Sequence, residues 1–497
     1  MSRRMRRPLV AVLAAVAMTS VAACSGGGSI TQSGNEPTTP TGGNSADTTL
    51  APTTTVPADS LPDCPTDALD SATAPVELTF WHGMSGPLGE ELESLATAYN
   101  SSQSKVVVSL VGASYEETLD NYLQSNQDGR PDLVQLPEYT VQSIVDTESV
   151  VPVGKCIESS GFDTSPFLPT ALSAYATQGV QWSMPFNVSN PVLFYNKKVF
   201  AAAGLDPEKP PVSLDDVRTY SQQIVDSGAA SFGLALESGF DSGGGWYVEQ
   251  WFCKAQEFYV DGDNGRSNRA TKVLYDNQTG VDLLTFLQEM INTGIAVNVG
   301  DNSTTGYDNL LKLADAEQPA AMTIATSASL GAVLDVLGGG QFPQLGPDDV
   351  GVGPMPGPDG KPGALIGGAS LWVVNHDDPV RAAAAWDFIE FLVAAEQQST
   401  WAAATGYIPV RNDARDLEPY MSTLAADPRF GVALDQLLAS PDALTSAGPV
   451  VGPLREIRAV LAIAVAGILG GADVQTTLTD AATQSDGLIA DYNSRNS

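Results

Sequence analysis

The chain of 497 residues carries 24 Lys and Arg against 58 Asp and Glu, a formal net charge of −34. That balance excludes a general nucleic-acid binder, because neutralising phosphates takes clustered cations. Charged residues make up only 16% and hydrophobic residues 43%, so wholesale disorder is excluded and large cores can form. The length predicts two or three domains, or two large lobes. Four cysteines do not make a disulfide scaffold, and two histidines leave little for a His-rich metal site. No metal or other cofactor is expected.

Arg3, Arg4, Arg6 and Arg7 form a cationic stretch ahead of an apolar run from Leu9 to Val21. The run is too short and too rich in small residues for a membrane span. It ends in Val21-Ala22-Ala23-Cys24, which resembles a bacterial lipobox. The expected organisation is a signal peptide over 1–23, a lipidated Cys24, and a linker over 24–62 rich in Gly, Ser, Thr and Pro. Such a linker cannot bury enough surface to fold and reaches roughly 35 Å as a random coil. The protein is thus expected to be exported and anchored to the outer face of the cell membrane by Cys24. Cys64, Cys156 and Cys253 remain, and an oxidising compartment admits one disulfide. Cys64 with Cys156 is favoured because the two bracket the first lobe; the sequence leaves the other pairings open.

The body alternates strands and helices. Val76–Trp81 alternates in polarity and is β-rich, so it reads as a strand. Leu88, Leu92, Leu95 and Tyr99 share a helical face. A strand over 106–111, a helix over 115–123 and a strand over 132–136 complete a β-α-β-α-β order, which implies a parallel sheet with helices on both faces. Ligands of such sheets sit at the carboxyl ends of the strands, here Trp81-His82-Gly83-Met84, Ser114-Tyr115 and Glu138. Further strands are expected at 192–195, 321–324, 350–353 and 371–374. Helices are expected at 214–226, 246–259, 280–292, 380–395, 431–438 and 453–467.

The segments Phe80-Trp81-His82-Gly83-Met84, Pro185-Phe186-Asn187 through Tyr195-Asn196-Lys197, Ile366-Gly367-Gly368-Ala369-Ser370-Leu371-Trp372 and Thr405-Gly406-Tyr407-Ile408-Pro409 carry a resemblance. In order and spacing they resemble the extracellular solute-binding proteins (family 1) of carbohydrate-type ABC importers, closest to the glycerol-3-phosphate-binding subgroup. The resemblance runs from about residue 76 to the C-terminus. It implies a two-lobed α/β fold of the periplasmic-binding-protein type, each lobe a mostly parallel sheet flanked by helices, with the ligand cleft between lobes. The implied N-terminal lobe is 63–184 with 318–366, and the C-terminal lobe 190–315 with 370–497. Hinges are implied near 184–190, 315–320 and 366–371.

The resemblance assigns the ligand contacts residue by residue. Tyr115, Ser189, Thr326 and Tyr407 would supply hydroxyls, and Gly368 a backbone amide. Glu138 would accept ligand hydroxyls, Trp246 would stack, and Arg458 would meet a phosphate. Arg458 lies on an apolar helix and needs an anion, either that phosphate or an internal carboxylate. The family pattern has two tryptophans three apart, and Gly243 stands where the first is expected. A missing wall there would admit a larger group, which sets a glycerophosphodiester such as glycerophosphocholine beside glycerol 3-phosphate. The leading expectation is a monomeric binding subunit, not an enzyme, that passes a polyol phosphate to the transmembrane subunits of an ABC permease. A neutral sugar or oligosaccharide is the alternative. A secreted hydrolase pairing Glu138 with Asp132 or Glu116 is the distant one.

Overall fold

The computed structural model describes residues 60–304 and 306–496. The signal peptide, Cys24 and all but the end of the linker lie outside the described residues. Among the described residues no helix is long and apolar enough to cross a membrane.

The strands are β1 (Val76–His82), β2 (Val106–Gly112), β3 (Leu133–Pro137), β4 (Val150–Val151), β5 (Ala176–Thr177), β6 (Val180–Gln181), β7 (Met184–Ser189), β8 (Pro191–Asn196), β9 (Phe232–Leu236), β10 (Ala296–Asn298), β11 (Ala320–Thr326), β12 (Val350–Pro354) and β13 (Gly367–Val374). One sheet has the order β2-β1-β3-β13-β4, with β7 also on β13; the other has the order β10-β9-β11-β8-β12. In each, three strands run parallel (β2-β1-β3 and β10-β9-β11) and the remaining strands add by antiparallel pairing. The parallel β1-α-β2-α-β3 order read from the sequence is therefore present. β7 and β8 are buried along their whole length and belong to different sheets. Only Asn190 separates them, so the chain crosses between sheets there.

The division into lobes differs from expectation. Strands β11 and β12, in the segment 318–366 expected in the first lobe, pair with β8 and β9 in the second sheet. The segment 315–320 is not a crossing, because β10 and β11 both flank β9. The chain instead returns through 355–366 to β13, which pairs with β3 and β7 in the first sheet. Helix Pro379–Leu392 follows it onto the first sheet, against β1 and β13, so 370–497 does not belong wholly to the second lobe. Helices Leu454–Leu469 and Val474–Arg495 do, packing on helix Gln278–Asn292. A buried apolar strand carries no local mark of which sheet it will join, and that choice rests on long-range pairing.

Local sequence explains the helices that border the cleft. Ser114 caps helix Tyr115–Gln124 through the Glu117 amide, and the Glu117 carboxylate returns to the Ser114 amide, a reciprocal capping box. This fixes Tyr115 at the first helical position, just past β2. Helix Trp246–Ala255 stops at Gln256, which is left-handed with φ 63°, four residues earlier than the apolar period suggests.

Cys64 and Cys156 are disulfide-bonded, and Cys253 is free and buried. The bond ties the turn Thr66–Ser71, which packs on helix Pro379–Leu392, to helix Val153–Ser160. Closing a 92-residue separation restricts the unfolded chain. Replacing both cysteines by serine is expected to cost about 2–4 kcal/mol in denaturant-unfolding measurements.

Candidate functional site

Between the two sheets lies a cavity of about 150 Å³. Tyr115, Glu138, Ser189, Trp246, Thr326, Gly368, Tyr407 and Arg458, the eight positions selected from sequence, all line it. They come from both sheets and both crossings. Tyr115 and Glu138 follow β2 and β3, Ser189 ends β7, Thr326 ends β11, and Gly368 is the second residue of β13.

Two glycines make room for the aromatic walls. A Cβ on Gly83 would sit 2.2 Å from the Tyr115 ring, and one on Gly367 would sit 2.2 Å from the Trp246 indole. Gly368 has φ +92°, and a Cβ there would meet the Asn187 carbonyl at 1.9 Å; only glycine fits such a position without strain.

A buried polar relay orients Tyr115. The Gly83 amide donates to Gln135 at 2.9 Å, Gln135 donates to Asn187 at 2.7 Å, and Asn187 donates to the Tyr115 hydroxyl oxygen at 2.8 Å. The Tyr115 hydroxyl in turn hydrogen-bonds Tyr407, so the relay continues to the second phenol on the cavity. Burial pushes the Tyr115 and Tyr407 phenols upward, so both stay neutral donors. Thr326 likewise accepts, from the Ala328 amide, and keeps its proton. The Trp246 indole N–H and the Tyr139 hydroxyl are buried without a partner among the described residues. Buried polar groups are ordinarily paired, and two orphans lining one cavity, one from each side of the cleft, mark where an occupant would bond.

Arg458 is fully enclosed. Its Nε and Nη2 donate to the two oxygens of buried Glu249 at 2.6 and 2.8 Å, and Nη2 also meets Glu138 at 2.9 Å. The guanidinium lies 5.3 Å from the Tyr139 ring centroid, a cation–π contact. Burial alone would favour losing the proton, but Glu249 and Glu138 outweigh it and hold Arg458 charged. Burial raises the Glu138 carboxyl, with Arg458 opposing. Of the two anions the sequence left open for Arg458, the structure supplies internal carboxylates. Its Nη1 is engaged by neither.

The expectation at Gly243 fails. A Cβ there would lie 2.0 Å from the Glu237 carbonyl oxygen, and Gly243 does not line the cavity. The glycine is there because backbone packs on it, not to leave a wall open. The loop presents Asp241 to the cavity instead, and Phe240 packs edge-on against Tyr139. Sequence reading missed Asp241 and Tyr139, which line the cavity, and Glu249 beneath it; Glu116, named only as a hydrolase partner for Glu138, lines it too. Glu116 adjoins Tyr115 and Tyr139 adjoins Glu138, so adjacency to chosen residues was the available signal. Asp132 is elsewhere: it is buried, accepts from the Thr79 amide and pairs with Arg381 at 2.7 Å. It forms no catalytic pair with Glu138.

A cavity between two α/β sheets, lined by aromatic walls, hydroxyls and charged groups from both and spanned by strands that cross from one to the other, has the architecture of a two-lobed solute-binding protein. The chain belongs to the bacterial extracellular solute-binding proteins, whose family model matches residues 94–431. It is 30% identical over 408 residues to the sn-glycerol-3-phosphate-binding periplasmic protein UgpB of Escherichia coli K12, covering 79% of this chain and 87% of the relative. UgpB from Mycobacterium tuberculosis, solved in complex with glycerophosphocholine, shares its fold with a TM-score of 0.68 at 22% identity, over 85% of this chain and 100% of that one. The cyclic α-maltosyl-1,6-maltose-binding protein from Arthrobacter globiformis gives 0.67 at 21% identity, over 84% and 99%. Proteins of this family bind small solutes for ABC importers and pass them to the permease.

Arg458→Met leaves Glu249 buried without its cation and is expected to destabilise the protein by about 3–5 kcal/mol. Adding Glu249→Gln should return much of that in the same denaturation assay, because no buried charge is then orphaned at that position. Burial also lifts Glu237 to about 7 from 4.5, with Ser242 opposing. The folded state then holds this proton more tightly than the unfolded state. Stability is therefore expected to fall as pH rises from 4.5 to about 7. Glu237→Gln should flatten that part of a stability-versus-pH curve.

Proposed function

We propose that the protein captures a glycerophosphodiester with a cationic head group, of which glycerophosphocholine is the simplest, for an ABC importer. It would act as a monomer held to the outer face of the membrane by lipidated Cys24. The charge pattern of the cavity carries this reading. One guanidinium, Arg458, is accompanied by three lining carboxylates, Glu116, Glu138 and Asp241. That arrangement opposes a phosphate dianion and complements a zwitterion. The names of the UgpB relatives and the glycerophosphocholine complex of one fold neighbour support the same ligand class.

In this reading the phosphodiester takes Arg458 Nη1, the Tyr115 and Tyr407 phenols, the Ser189 and Thr326 hydroxyls and the Gly368 amide. Glu138 accepts from glycerol hydroxyls, Trp246 covers the C–H face, and Asp241 with Tyr139 faces the ammonium. Glycerol 3-phosphate would use the same contacts without the cationic half. The second reading is a neutral sugar, favoured by Glu249 and Glu138 already balancing Arg458.

Calorimetric titration with glycerophosphocholine, glycerol 3-phosphate, maltose and trehalose separates these readings. Glycerophosphocholine is expected to bind tightest. Asp241→Asn should weaken it about tenfold, or 1.4 kcal/mol, while leaving glycerol 3-phosphate unchanged or tighter. Burial raises the Asp241 carboxyl, with Glu116 adding to the rise. Glycerophosphocholine affinity should therefore fall on acidification, as that carboxylate takes up its proton. Binding of a sugar alone would overturn the phosphodiester reading and leave the importer role standing.

A further inference from the structure

A second cavity, of about 410 Å³, opens at the C-terminal end of helix Trp246–Ala255, and none of its lining residues lines the cleft cavity. Its walls are largely apolar, with Val212, Pro354, Met355 and Val432 among them, and Lys254 lies on it. Lys254 is 2% exposed. Among the described residues its ammonium has neither ion pair nor hydrogen bond, and the one titratable neighbour acting on it is the Cys253 thiol. Its stem is held in place by two glycines of the 355–366 crossing. A Cβ on Gly357 would lie 2.3 Å from the Lys254 Cδ, and one on Gly363 would lie 3.3 Å from its Cγ. Burial lowers the ammonium to about 8, which still leaves it charged at neutral pH.

A buried ammonium without a counter-charge is unfavourable, and an anion entering the cavity removes the penalty. Asp435, also on the wall, is turned to Arg415 at 3.3 Å. Lys361, the other cation on the wall, is likewise turned to Asp359 at 3.3 Å, so Lys254 is the one charge of the lining without an ion pair among the described residues, and the apolar walls favour a hydrocarbon tail. We propose that this cavity is a second ligand site, for a small monocarboxylate whose carboxylate pairs with Lys254 and whose short tail packs on Val212, Met355 and Val432. Gln436 on the same wall donates to Asn190 at 3.1 Å and to the Pro191 carbonyl at 2.9 Å. The occupant would therefore rest against the β7–β8 crossing.

The test uses the full chain and two probes of equal shape, butyrate and butyramide, read by thermal unfolding and by NMR titration. Butyrate is expected to raise the unfolding midpoint and butyramide not. Lys254→Met should weaken butyrate by about tenfold or more without altering binding in the cleft. As a check free of any variant, butyrate should slow acylation of Lys254 by a dilute anhydride, followed by mass spectrometry. Equal responses to the two probes, a butyrate response that survives in Lys254→Met, or no protection of Lys254 would overturn the proposal. Lys254 would then be a buried amine with no ligand.

Discussion

The guanidinium of Arg458 organises the site because it cannot be buried alone. Its two carboxylate partners come from different parts of the fold: Glu249 from helix Trp246–Ala255, and Glu138 from the turn after β3. The Gly243-Gly244-Gly245 run permits the approach. A Cβ on Gly244 would lie 2.7 Å from the Ala462 Cα, and one on Gly245 would lie 3.0 Å from the Arg458 Cβ. With side chains at those positions the helix start could not reach helix Leu454–Leu469, and Glu249 could not meet Arg458. Glu249 and Trp246 sit three apart on one helix face, so fixing the ion pair also fixes the indole.

The two bonds of Arg458 differ in what they join. Arg458 and Glu249 stand on helices of the second lobe, whereas Glu138 follows a strand of the first sheet. Separating the sheets would break the Glu138 bond and keep the Glu249 bond. The Glu138–Arg458 contact thus joins the two sides of the cleft, while the Glu249 pair lies within one side. Gly83 and Gly367 serve the same economy of space: each gives up a side chain so that Tyr115 or Trp246 can turn inward.

Much of this was legible in the sequence. The parallel β1-β2-β3 core follows from period and order, and the eight cavity residues follow from motifs with family precedent. What failed was non-local. The membership of β11 and β12 in the second sheet depends on pairing with β8 and β9, which no window of neighbouring residues encodes. Helix Val474–Arg495 was missed because its threonines, its mean polarity and the buried Ser485 blur the apolar stripe that Leu478, Ala481, Ala482 and Ile489 form once folded. Strand β7 was hidden by Pro185 and by buried polar residues, Asn187 and Ser189, kept for the relay and the cavity. Gly243 was misread for a related reason: the absence of a side chain was taken as space, and only the structure shows the Glu237 backbone filling it.

Ligand choice in such a protein is a problem of local charge set against a hostile field. A net charge of −34 repels every anion at a distance. Close in, Arg458 is already balanced by Glu249 and Glu138, so a phosphate finds one unengaged guanidinium nitrogen, neutral phenols and hydroxyls rather than free positive charge. Neutral donors discriminate by geometry more than by charge, and they do not lose strength in salt as exposed ion pairs do. Carboxylates whose titration is raised by burial add a second criterion, since Asp241 and Glu138 are stabilised by any positive group placed beside them. On the proposed reading a molecule bearing both a single negative and a single positive charge would satisfy both criteria, whereas a neutral polyol would satisfy only the first.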